Sequence, residues 1–282
     1  MGKNYKVVAL IMLFWFVISF ITNILGPLIP DIISNFSLKQ LTLAGYIPMS
    51  FFLAYAVMSI PAGIMIEKFS EKTVLLIGFT MPLIGSLLFA LFPCYPVLLA
   101  SSFIIGLGMA MLQTVINPLT RVAGGEENFA FFSVMGQLVF GFASFVSPFV
   151  YSYLVRELTV PGTDKNFFIN FLVGITPEQL PWVSLYWVFT IILIVILLIV
   201  FGNRFPKMTL KEDEKSGSLA SYKTLLHNKH VYLFFLGILC YVATEQGIAN
   251  WISKFLEDYH GIDPQTEGAT VVGTFWGLMS LG

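Results

Sequence analysis

Apolar residues fall in long unbroken runs, not in the alternation of a half-buried strand or the single stripe of a soluble helix. Seven runs, at roughly residues 7–29, 43–66, 73–92, 97–119, 128–155, 182–202 and 230–256, are separated by polar connections, and an eighth begins near 266. The hydrocarbon core of a bilayer is about 30 Å thick and takes about 20 apolar residues to cross as a helix. Only helices and closed barrels satisfy their own backbone there. The pattern predicts an all-α membrane protein that crosses repeatedly.

Composition removes the soluble alternative. Charged residues are 11% of the chain against 57% hydrophobic, with a mean hydropathy of +0.83. A soluble domain carries about 25% charge, so this chain has too little polar surface for water. The net charge of −1 gives no electrostatic footprint for nucleic acid. Cys94 and Cys240 are too far apart in sequence to suggest a disulfide or a metal site, and no cofactor motif occurs. The opening Met1–Lys6 is charged like a signal peptide. The run behind it is too long, with no small-residue cleavage site, and predicts a retained first helix.

Positive charge predicts orientation. With a cytoplasmic N-terminus, Lys3, Lys6, Lys68, Lys72, Arg121, Arg204, Lys207, Lys211, Lys215, Lys223 and Lys229 lie inside. Lys39, Arg156, Lys165 and Lys254 lie outside. Eleven of the 15 basic residues on one side favour that topology in a cell (inner or plasma) membrane. The most charged stretch, residues 204–229, divides the chain into a six-helix bundle over 1–203 and the start of a second bundle over 230–282. An internal echo agrees with this division: Ala44–Phe52 and Gly268–Trp276 place a small pair, a hydroxyl and an aromatic pair in the same register.

Between the second and third runs lies Gly63-Ile64-Met65-Ile66-Glu67-Lys68-Phe69-Ser70-Glu71-Lys72. It resembles the Gly-x-x-x-acid-base-x-Gly-x-base signature of the major facilitator superfamily, with Glu67 for the usual Asp and Ser70 for the second Gly. Gly63 is expected to permit close helix approach, and Glu67, Lys68 and Lys72 to act as a conformational-switch loop. Pro61-Ala62-Gly63, Gly106-Leu107-Gly108 with Gln113-Thr114 and Asn117-Pro118, and Tyr241-Val242 with Glu245 are similar to the fucose permease and glucose/galactose branch. The resemblance implies two six-helix halves around a central sugar site, coupled to a proton or a sodium ion. This chain departs from it at Gly26 and Gln113, where that branch carries acids, and at Phe140, where it often carries Asn.

Polar groups at bilayer depth are costly and tend to face a cavity or another helix. Asn23 on the first run, Gln113 and Asn117 on the fourth, Gln137 on the fifth, and Gln246 and Asn250 on the seventh supply amides, with Trp251 beside the last pair. Amides both donate and accept, as sugar hydroxyls do, and an aromatic ring can stack on a pyranose. Glu245 is an acid deep inside a run, expected to bind sugar hydroxyls or carry a coupling proton. Asp31 is placed at the membrane interface. These residues predict a binding pocket for a small neutral sugar such as a hexose, in a monomeric secondary transporter working by alternating access. A drug or organic-solute exporter and a non-transporting sensor or scaffold of the same fold are the alternatives. The three histidines lie at no ligand spacing, and no catalytic motif is present, so an enzyme is not expected. The eighth run is still apolar at Gly282, so the sequence is expected to continue in the complete protein.

Overall fold

A computed structural model describes residues 4–160, 165–207 and 227–281. Most of the predicted 204–229 linker, with its Lys211–Ser218 core, lies outside the described residues, as does Pro161–Asp164. The described residues are helical, joined by turns, and seven segments are long and apolar enough to cross a membrane.

The first segment is broken. Helix α1 (Tyr5–Thr22) ends at Asn23, and α2 (Leu25–Asn35) continues to the far end. Pro27 explains the position. Its nitrogen cannot donate to the carbonyl four residues back, which is Asn23, and its ring crowds that carbonyl. Helices α3 (Leu41–Lys68), α4 (Glu71–Leu91), α5 (Tyr95–Gly124), α6 (Phe129–Thr159) and α8 (Ser184–Gly202) complete the first bundle. The connection read as a loop over 156–181 also holds a short helix, α7 (Phe167–Ile175). Asn166 caps it through the Ile169 N–H, and it buries Ile169 and Leu172 while Phe167 stays 88% exposed. Nine residues cannot cross a bilayer, so α7 packs along the end of the bundle.

Small residues let these helices approach. α5 wedges between α3 and α4. A methyl on Gly106 would sit 2.4 Å from the Phe51 carbonyl oxygen, so only glycine fits there. One apolar core runs through α1–α8, with Trp182 stacked on Phe89 and Tyr186 edge-on to both near the Asn35 end.

The second half contains α9 (Lys229–His260), a π-helical turn (Pro264–Gly268) and α10 (Ala269–Leu281). α10 lies along α6, with Phe149 against Gly273 and Phe145 against Gly277. α9 behaves differently along its length. Ala249, Asn250 and Ser253 are buried, whereas Tyr232 through Tyr241 expose large apolar side chains. Of the second half, α10 stays along α6, while α9 packs on the first half near the Asn35 end and not along its Tyr232–Tyr241 stretch.

Candidate functional site: cavities between the two halves

The halves touch where span one is broken. A Cβ on Gly26 would fall 2.2 Å from the Ala249 carbonyl oxygen. Backbone meets backbone there, and any side chain would push α2 and α9 apart. Beside this contact is a small cavity of about 40 Å³, bordered by Thr22, Phe51, Ser102, Tyr186, Gln246 and Asn250. The two amides face it as a pair, with Asn250 Nδ2 donating to Gln246 Oε1 at 3.5 Å. Gln246 Nε2 in turn donates to Glu245 Oε1 at 3.2 Å.

One position back along α9, the surroundings change. Successive helical residues point about 100° apart. Glu245 thus leaves the Gln246 side and lines a separate cavity of about 430 Å³ between α6, α9 and α10. Gln137, Phe140, Tyr241, Trp276 and Ser280 share it. Trp276 is 5% exposed, and its indole N–H has no hydrogen-bond partner. The wall offers a carboxylate acceptor, an amide that does both, a phenol and an unused donor, together with an aromatic face. That set matches a ligand with several hydroxyls and an apolar face.

The remaining predicted residues divide by location. Gln113 Nε2 donates to the Tyr55 hydroxyl at 3.2 Å, one turn along α3 from Phe51 of the small cavity. Asn117 lies one turn further along α5 and is exposed, although its neighbours Ile116 and Pro118 are buried. The predicted amide set is therefore split between Gln246–Asn250, Gln137 with Glu245, and Gln113–Asn117, and does not line one pocket. Asn23 lies in the seam between α1 and α6. Its amide donates to the Ser144 hydroxyl at 2.8 Å and to Ser19 at 3.4 Å. Ser19 also bonds Ser144 at 2.7 Å and donates to the Phe140 carbonyl. The Asn23 donors are thus used in holding two helices together. Trp251 lies away from both cavities, with its ring edge toward Gly45 of α3. The indole at the larger cavity is Trp276, which the sequence pattern does not single out, because its depth depends on how α10 docks against α6.

The 63–72 segment also differs from expectation. A Cβ on Gly63 would meet nothing within 4 Å, so this glycine admits no close neighbour. It lies toward the Tyr5 end, where α9 does not pack on the first half. Ser70 in place of glycine has a clear use: it caps α4, its Oγ accepting from the Thr73 N–H at 3.3 Å. Lys72 donates to the Phe201 carbonyl and stands 5.2 Å from that ring's centre. A cation thereby meets the C-terminal end of α8, where the helix dipole is negative. Lys68 sits in the last turn of α3, and Glu67 has interaction partners of its own.

Asp31, expected at the membrane interface, lies near the Asn35 end of the first span and is buried between elements. It is 9% exposed, accepting from Tyr151 Oη at 2.5 Å on one oxygen and from Gln265 Nε2 at 2.9 Å on the other. Tyr151 is on α6 and Gln265 in the turn before α10, so burial needed two elements distant in sequence. The in-sequence signal was an acid one residue after Pro30 in an otherwise apolar run.

Comparison with known proteins agrees with this architecture. The chain is 27% identical over 99% of its length to the glucose/galactose transporter of Brucella abortus, and 25% identical over 94% to the L-fucose-proton symporter of Escherichia coli. It spans 66% and 63% of those relatives' lengths. The outward-conformation crystal structure of the transporter FucP shares its fold, with a TM-score of 0.65 at 23% identity, covering 97% of this chain and 67% of that one. So does a bacterial homolog of the human lysosomal transporter Spinster, crystallised inward-facing and unoccupied. Its TM-score is 0.76 at 18% identity, over 100% of this chain and 61% of that one. None of these relatives is named as an enzyme. The Major Facilitator Superfamily profile matches residues 11–282, and with seven membrane-length helices the chain is a multi-pass membrane protein belonging to that superfamily.

Proposed function

We propose that this chain is part of a secondary transporter that moves a neutral sugar of hexose type across the membrane by alternating access. The observation that carries the reading is the convergence of Gln137, Tyr241, Glu245 and Trp276 on a cavity of about 430 Å³ between the halves. That volume falls within the range of small-molecule sites, about 300–1,000 Å³. The wall carries one acid and no lysine or arginine among its lining residues, which suits an uncharged polyol better than an anion. The names of two relatives, a glucose/galactose transporter and an L-fucose-proton symporter, lie in the same substrate class.

In this reading the contact at Gly26 and Ala249 closes one entrance while the divergence of α9 leaves the other open, and the two exchange during transport. Glu245 is the candidate for ion coupling at the cavity, to a proton or to sodium. The basic-residue bias supports a cytoplasmic Tyr5 end, for a monomer in an inner or plasma membrane. Uptake of labelled hexoses by the full-length protein in proteoliposomes, with proton and sodium gradients imposed separately, tests this. Saturable uptake of a neutral hexose is expected. Transport of hydrophobic cations with no sugar uptake would overturn it.

A further inference from the structure

Among the described residues, the carboxylate of Asp31 receives two hydrogen bonds from opposite sides of the inter-half boundary. Tyr151 approaches from α6 of its own bundle, and Gln265 from the turn that begins α10. Both donors are neutral. With the carboxylate ionised, each oxygen accepts one of these bonds. Its surroundings are acidic. Glu257 on α9 and Asp263 in the following turn act on it electrostatically. Lys254, the cation of α9 in this region, pairs with Glu257 and Asp258 at 2.8 Å each. Glu267 lies in the same turn as Gln265. On α6, Arg156 and Glu157 follow more than a turn beyond Tyr151, while α10 carries no charged residue, and α3 carries its charges, Glu67 and Lys68, at the opposite end.

We propose that Asp31 is a proton-binding site whose deprotonated form latches the two halves together at the Asn35 end. Hydrogen bonds to an ionised acceptor are shorter and about twice as strong as neutral ones. When a proton adds to one oxygen, that oxygen becomes a donor and no longer accepts. The Tyr151 hydrogen must then turn away inside a dry site, and the bond from Gln265 falls to neutral strength. Of the two bonds, the one from Gln265 spans the halves, so a proton at Asp31 favours their separation at this end. Neither cavity lined by Gln246 or Glu245 includes Asp31, so this site is separate from the candidate sugar site.

The inference rests on the alternating-access part of the proposed function and not on its substrate. Spin labels at Ser34 of α2 and Tyr259 of α9, both exposed, report the opening of this end in the full-length protein with native cysteines removed. No sugar is added, so a mistaken substrate class leaves the result intact. In the parent, the distance is expected to lengthen on acidification. Asp31→Asn should be long at every pH and lose the response. Gln265→Ala, which keeps the carboxyl but removes the arm that crosses the boundary, should also be long throughout. An Asp31→Asn protein with the parent's distances and pH response would sink the proposal. If that variant does not fold, a Gln265→Ala protein with the parent's short distance does the same.

Discussion

The two ends of α9 are one helix under two regimes. Around Ala249 to Ser253 the helix is buried against α2 and the Pro264–Gly268 turn, with backbone contact at Gly26 and, further along α2, the Asp31–Gln265 bond. From Tyr232 to Tyr241 the same helix presents tyrosine, phenylalanine and leucine outward, each about half exposed or more. The two regions differ in composition, since Asn250 and Ser253 interrupt the first while the second has neither amide nor serine. They differ in fit as well. At Gly26 the α2 backbone closes onto the Ala249 carbonyl, whereas Phe234 and Phe235 stand 74% and 62% exposed. In the alternating-access reading proposed above, one entrance is held by contacts that fit tightly and release as a unit, and the Gly26–Ala249 contact is of that kind.

The sharpest break of this contrast is Gly26→Val. With even a Cβ at 2.2 Å from the Ala249 oxygen, the closed end cannot form, and substrate counterflow in proteoliposomes is expected to fall to background. Next is the larger cavity. Trp276→Phe keeps a ring but deletes the unused indole donor, and a hydrogen bond of about 1 kcal/mol corresponds to a roughly five-fold rise in sugar Kd by equilibrium binding. Trp251→Phe, toward Gly45, should leave that Kd unchanged, and equal effects from both rings would erase the distinction. Smaller still is Ser144→Ala, which removes the acceptor of the Asn23 amide and the hydroxyl partner of Ser19. A loss of about 0.6–1.7 kcal/mol is expected, read as a lower melting temperature in detergent. Lys72→Met removes the cation at the α8 terminus and should cost about 0.3–1 kcal/mol in the same assay. Last, Gly63→Ala should cost no stability, because nothing lies within 4 Å and alanine is the better helix former. A marked loss there would mean that the open end closes in a second state in which Gly63 is crowded.

The run of apolar segments made the membrane class and the order of spans legible, because crossing length and hydropathy are properties of single segments. The break in the first span follows from Pro27, which cannot donate to the Asn23 carbonyl. Helix α7 was hidden because a nine-residue, largely apolar segment inside a polar connection carries no crossing signal. Among the site residues, Glu245 and Gln137 were legible as costly polar groups and do share a cavity. Asn23 carried the same signal, yet its amide serves a seam between helices. An amide inside a span looks alike in sequence whether it faces a ligand or a neighbouring serine.

The sequence alone determined what each helix is: its length, its polar interruptions, its proline break and its caps, such as Ser70 on Thr73. These follow from local chemistry and the thickness of the bilayer. Tertiary structure alone decided which residues meet across the halves. Asp31 became a buried acceptor only when α6 brought Tyr151 and the turn before α10 brought Gln265. Glu245 and Gln246, adjacent in the chain, were sent to different cavities by the 100° between them. Such pairings depend on rigid-body docking between segments more than a hundred residues apart, and the periodicity of a single helix carries no information about its partner's rotation.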